Sequence, residues 1–194
     1  MGLLIRKLNL HIKELVFNNI EGNKVLFLFI LTNLIYGFML LITIPKVMGF
    51  TSEMKIFDFM PMGYEFEYAG LLLEKLGVQG RNAYLYTQLP VDLIYPFLFG
   101  ITYCLLLAYL LNQLNSLKAE SFYLCILPLM AGIFDYLENF SIINLLISYP
   151  HLSIPAIQIA SFFTVLKSLL STISFIVLFV ALVMVGYKKI YKKK

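Results

Sequence analysis

Apolar residues fill four stretches of this chain, 25–44, 91–111, 122–147 and 156–185, with few charges inside them. Crossing the hydrocarbon of a bilayer as an α-helix takes about 20 residues at ~1.5 Å of rise each. Each stretch is long enough, so each predicts a spanning helix. Ahead of them, "LLIRKLNLHIKELVFNNI" (3–20) sets Leu4, Leu8, Ile12 and Leu15/Val16 at helical spacing, with Arg6, Lys7 and Lys13 on other sides. That pattern predicts an amphipathic helix lying on the membrane surface. Between the first two spans, residues 46–90 form a connection far longer than ordinary helix–helix loops, which predicts a structured cap. Within it, "YEFEYAGLLLEKLG" lines up Tyr64, Tyr68, Leu71, Leu72 and Leu76 on one side of a short helix, with Gly77 as its expected C-terminal stop. Tyr84, Tyr86 and Pro90 follow, an aromatic density suited to the headgroup layer. The predicted fold is all-α: one integral membrane domain, a four-transmembrane-helix bundle with an N-terminal interfacial helix, a partly helical cap and a basic tail at 187–194.

Composition agrees with this class and excludes a water-soluble domain. The chain is 60% hydrophobic, only 13% charged, and has a mean hydropathy of +0.85. Charge then sets orientation. Arg6, Lys7, Lys13 and Lys24 precede the first span, Lys118 lies between the second and third, and "YKKIYKKK" closes the chain. On the opposite side Lys46, Lys55, Lys75 and Arg81 are offset by Glu53, Asp58, Glu65, Glu67 and Glu74. The expectation is a multi-pass protein of the cell membrane with both termini cytoplasmic and the cap outside. The first span reads as an uncleaved helix, because no small-residue cleavage site follows it in "ITIPKVMGF". Cys104 and Cys125 sit in apolar runs, where cysteine behaves as a small hydrophobe. The basic residues form a short tail with no domain to present it, so nucleic acid is not an expected partner.

Candidate chemistry concentrates in the third span, at "AGIFDYLENF" (131–140). A charge at the centre of a spanning helix costs about 2.5–3.5 kcal/mol on the insertion scale, while a Leu or Ile returns only about 0.3–0.6. Intramembrane acids therefore face the bundle interior or a wet cavity and mark function by default. At ~100° per residue, Pro128, Ala131, Gly132, Asp135, Glu138 and Asn139 share one face. Ala131 and Gly132 allow a neighbouring helix to come close. The second span adds Asp92 near its outer end, with Tyr95, Pro96, Phe99 and Tyr103 along the same side. The fourth adds a polar stripe of Thr164, Lys167, Ser171 and Ser174. Counting from the loops brings Lys167 near the level of Asp135, with Glu138 and then Asp92 further out and Arg81 at the mouth. Asp92, Asp135 and Glu138 against Lys167 would leave a net charge of −2 if all were ionised. Lys167 with Asp135 is the natural ion pair, Glu138 the group expected to hold a proton, and Asp92 the one expected to meet Arg81 or water.

Three functional readings follow. The first is binding, with chemical transformation as a further step, of a lipid or small amphiphile. Glu138, Asp135 and Asp92 are then the candidate catalytic acids and bases, and Arg81, Tyr84, Tyr95, Tyr103, Asn139 and Lys167 the candidate substrate contacts. The second is a proton-coupled transporter or channel subunit, completed by homo-oligomerisation. The third is a non-catalytic scaffold or assembly subunit whose acids pair with Lys167 or a partner helix. No cofactor is predicted; the paired carboxylates could hold a divalent cation, although no histidine lies in any span and no metal-binding spacing is present. The sequence has no nucleophilic serine motif, Gly-rich phosphate loop or HExxH.

The segment "GVQGRNAYLYTQLPVDLIYP", followed by "AGIFDYLEN", resembles a pattern in uncharacterised bacterial proteins with four spans: Gly-Arg-x-x-Tyr, Asp-x-x-x-Pro, then Asp-x-x-Glu-Asn. The resemblance carries no activity. It implies that Arg81, Tyr84, Asp92, Pro96, Asp135, Glu138 and Asn139 form one motif set. A looser similarity, of architecture alone, is to acid-bearing four-helix sterol isomerase-like membrane proteins, although the first span here has no acid.

Overall fold

The structure, a computed structural model, describes residues 14–52, 54–117 and 121–191. Among these, every regular element is helical. The interfacial helix expected over 3–20 lies outside the described residues up to position 13, while 14–17 are helical. Glu53, Lys118 and residues 192–194 of the basic tail also lie outside them.

Helix α1, Gly22–Phe38, continues through a π-helical turn, Met39–Thr43, into α2, Ile44–Met48. A second π turn, Tyr84–Gln88, leads from α3, Phe66–Ala83, into α4, Leu89–Asp92. Both wide turns have one cause. Pro45 and Pro90 follow them by two residues, and a proline ring collides with the carbonyl four residues back, here Leu41 and Tyr86, inside each π turn. The two turns meet through a buried hydrogen bond from the Thr43 hydroxyl to the Gln88 side-chain oxygen. After a turn at 93–94 come α5 (Tyr95–Gln113), α6 (Phe122–Ser148) and α7 (Ile154–Tyr191). Four of the helical stretches are long and apolar enough to cross a membrane.

Three boundaries differ from the sequence expectation. Gly77 does leave the helical conformation, at φ 58° and ψ −172°, but helix resumes at once, so it marks a kink in α3 and not its end. The second span was expected from 91; the chain turns at 93–94, and Pro96 restarts the helix in its first turn, where a missing N–H costs nothing. The fourth runs beyond 185 to Tyr191, with Lys188 and Lys189 in its last turn. Lys188 Nζ donates to the Gln113 carbonyl at the end of α5 (2.7 Å), a cation where helix dipoles favour one.

Helix α6 is central. It packs against α5 and α7, while α1 lies on α5. Helices α1 and α7 both lean on α5 but scarcely touch each other, which leaves a cleft between them. The buried face of α6 carries Pro128, Ala131, Gly132, Asp135, Glu138 and Asn139; Ile133 and Phe140 face outward. At its closest approach to α5, a Cβ on Gly132 would lie 2.6 Å from the Pro96 carbonyl oxygen. Two apolar cores result. One joins the cap (Val47, Phe57, Leu72, Leu76) to Ile142 and Ile157. The other, toward the chain termini, joins Phe99, Leu107, Phe122, Cys125 and Leu178. The outer faces are just as greasy: Phe27, Leu34 and Leu41 of the first stretch and Phe179 of α7 are between 66% and 80% exposed, as lipid-facing positions must be.

Polar contacts between α1 and α5 centre on Thr102: its hydroxyl and that of Thr32 hydrogen-bond at 2.7 Å in a buried setting, and it also reaches the Leu28 carbonyl at 3.4 Å. Thr32→Val leaves the Thr102 hydroxyl only the long contact to the Leu28 carbonyl and is expected to cost about 1 kcal/mol, whereas converting both threonines to valine returns stability close to wild type. Thermal unfolding of the two variants in one detergent reads this; a double variant worse than the single one contradicts it.

Candidate functional site

The acids lie in the layer between the two cores. Asp135 and Glu138 are three residues apart on α6, neighbours on one helical face. One ammonium therefore reaches both: Lys167 Nζ of α7 lies 2.8 Å from Asp135 Oδ1 and 2.6 Å from Glu138 Oε2. Lys167 does pair with Asp135, but Glu138 shares it. Glu138 is fully buried, and its other oxygen, Oε1, has no hydrogen-bond partner. Asn139, one residue on, donates through Nδ2 to the Asp92 backbone carbonyl at 3.1 Å. That carbonyl closes the short α4, where helical partners run out, so the amide caps it.

Asp92 is 2% exposed. Its neighbour is not Arg81 but a second carboxyl, Asp58, which lines the same cavity. Asp58 comes from a 3₁₀ turn of the cap, Phe57–Phe59, and accepts a hydrogen bond from the fully buried Tyr84 hydroxyl. Asp92 Oδ2 has no hydrogen-bond partner. The kink at Gly77 turns Arg81 away: its Nη1 donates to the Leu73 carbonyl across the kink (2.8 Å), and its guanidinium lies 4.4 Å from the Tyr149 ring centre. Tyr64 anchors the cap to α7, its N–H donating to Ser161 Oγ at 2.8 Å. Burial pushes the Tyr64 hydroxyl above its usual range, so it stays protonated beside Thr164.

A half-open cavity of about 290 Å³ lies against this layer. Asp58, Asp92, Asp135 and Lys167 form its polar side, with Ser168, Ser171 and Thr172; Tyr36, Tyr95, Phe99 and Phe175 supply aromatic walls. The Tyr36 and Tyr95 rings stack at 5.3 Å. A second, almost wholly apolar groove of about 500 Å³ runs on toward the termini in the same α1–α7 cleft, between Val25, Phe29, Tyr103, Leu178 and Leu182. Phe175 lines both spaces. With Phe99 and Tyr103 it forms a three-ring collar, centroids 4.8–5.8 Å apart.

The sequence-derived residues thus fall into groups. Asp92, Asp135, Lys167 and Tyr95 line the cavity; Glu138 and Asn139 stand behind it; Tyr103 belongs to the collar and groove; Tyr84 braces Asp58. Arg81 lies apart, and so does His151, exposed in the turn before α7. Sequence reasoning missed Asp58, Tyr36 and Phe175. Asp58 left a faint trace, an acid between two aromatics in "FDF". Among the described residues, no group of three or more His, Cys, Asp or Glu is arranged to hold a metal ion. The site offers unpaired carboxylate acceptors, two neighbouring carboxyls and one ammonium beside an apolar groove. That set can orient a polar head and exchange protons with it. Compared with protein families, with curated proteins and with solved structures, the chain matches none.

Proposed function

We propose that this protein sits in the cell membrane with both termini in the cytoplasm and binds a lipid or small amphiphile in the α1–α7 cleft. The head occupies the acid-lined cavity and the chain lies in the groove. The observation that supports this is the pairing of the two spaces: a polar cavity and an apolar groove share Phe175 as a wall, in a cleft two helices leave unfilled. The groove follows α7 from Phe175 to Leu182, about 10 Å at ~1.5 Å per residue. Ligand sites of this kind are mostly apolar with a few convergent polar groups. Bound there, a substrate would meet Asp92 and Asp135 directly, while Glu138 would act on it through Lys167. The orientation rests on the basic residues gathered at the terminal end, Lys24, Lys188 and Lys189 among them.

Leu182→Trp fills the groove from a half-exposed position that tolerates a larger side chain. Native mass spectrometry of protein released from nanodiscs is expected to show an amphiphile retained by the wild type. In the variant, occupancy should fall about ten-fold at unchanged melting temperature. Wild type emerging with no retained molecule, or a variant retaining it equally well, overturns the reading.

A further inference from the structure

The cavity carries more negative than positive groups, and this bears on the head it accepts. Asp58, Asp92, Asp135 and Glu138 gather around one cation, Lys167, whose ammonium is already shared by Asp135 and Glu138. Arg81, the next candidate, is engaged elsewhere. Among the described residues, no cation forms an ion pair with Asp58 or Asp92. Independently of charge, Asp92 lines the cavity, and its buried Oδ2 has no hydrogen-bond partner. A buried carboxylate oxygen without a donor is costly, and a ligand N–H would satisfy it. The same cavity is lined by four aromatic rings, Tyr36, Tyr95, Phe99 and Phe175, and aromatic rings attract cations.

We propose that the preferred ligand of this cavity is an amphiphile with a protonated amine head, held between the Asp58–Asp92 carboxyls and the aromatic walls. This rests on the amphiphile-binding reading above and names its ligand class. An anionic head would meet the acids and be repelled. A neutral alcohol would satisfy the acceptor but leave the charge unmatched. A quaternary ammonium matches the charge and the rings but has no N–H for Asp92 Oδ2, so it ranks below a primary amine. The amine enters already protonated, so its charge is matched to the carboxyls with no change in any covalent bond.

The test uses the full-length protein in nanodiscs of zwitterionic lipid, titrated with dodecylamine, dodecyltrimethylammonium, dodecanol and dodecanoate, with binding counted by native mass spectrometry. Dodecylamine is expected to bind about ten-fold or more tighter than dodecanol, with the quaternary analogue between them and dodecanoate weakest. Asp92→Asn should bring dodecylamine down to the level of dodecanol and leave dodecanol itself unchanged. Because Asp92 is buried, Asp58→Asn in the half-exposed cap provides a second reading with the same expected loss if the first variant does not fold. Dodecanol or dodecanoate equalling the amine overturns the amine head and leaves amphiphile binding standing. No binding of any of the four overturns both. Selectivity unchanged in folded Asp92→Asn or Asp58→Asn overturns the assignment of the carboxyl pair.

Discussion

Lys167→Met is expected to lower the stability of this protein by about 3–5 kcal/mol, the largest effect of any single substitution in the polar layer. The ammonium lies 2.8 Å from Asp135 Oδ1 and 2.6 Å from Glu138 Oε2. Both acids are almost fully buried. Removing the cation leaves two carboxyls three residues apart on one helix face, with nothing to balance them and little water to solvate them. The loss is larger than the net worth of the triad, because burying three charged groups had its own desolvation cost. That asymmetry gives the diagnostic comparison. Glu138→Gln keeps a one-to-one pair between Lys167 and Asp135, and its cost should be about 1–2 kcal/mol. The triple change Lys167→Met, Asp135→Asn and Glu138→Gln removes every charge together and should recover most of what Lys167→Met loses. Thermal and denaturant unfolding in a common detergent, wild type beside the three variants, gives the answer. If Lys167→Met stays within about 1 kcal/mol of wild type, the ammonium is not what holds the acids.

These residues also show why part of the site was visible in the sequence. The α6 face was readable because helical periodicity and the cost of a charge in an apolar segment are both local: Asp135, Glu138 and Asn139 had to point inward together. Lys167 was readable by depth, since its helix runs the other way over a known length. Asp58 was not. It sits 34 positions before Asp92, in a stretch with no period to follow, and meets it only because the cap folds back over the bundle. Arg81 was misplaced for a related reason. A charge near the mouth of an acidic layer looks like its partner, but the kink at Gly77 decides which way the following turn faces. The boundaries show the same division. The proline at 96 correctly signals a helix start, while the glycine at 77 signals a break without saying whether helix resumes. The cleft between α1 and α7 is a property of packing, and no single segment encodes it.

That packing depends most narrowly on Gly132, where Gly132→Val is expected to destabilise the bundle by about 3 kcal/mol and to weaken ligand binding as well. A Cβ at this position would lie 2.6 Å from the Pro96 carbonyl oxygen and 3.4 Å from its carbonyl carbon. Both are backbone atoms near the start of α5, so no side chain can rotate to make room; the helices must part. Gly132 lies one turn from Asp135, and Pro96 one turn from Asp92. The 3.1 Å bond from Asn139 to the Asp92 carbonyl crosses the same interface. Separating α5 from α6 therefore moves one wall of the acid layer relative to the other. Gly100 is the control, because it lies on the same pair of helices with a different clearance. A Cβ there meets Leu129 at 3.4 Å, an ordinary contact. Gly100→Ala is expected to be neutral or stabilising by up to about 1 kcal/mol, since alanine suits a helix interior better than glycine. Melting temperatures and dodecylamine affinities for both variants separate the two positions. A Gly132→Val protein that melts and binds like wild type would mean that the crossing of α5 and α6 is looser than 2.6 Å implies, and that the spacing of Asp92 and Asp135 is set elsewhere.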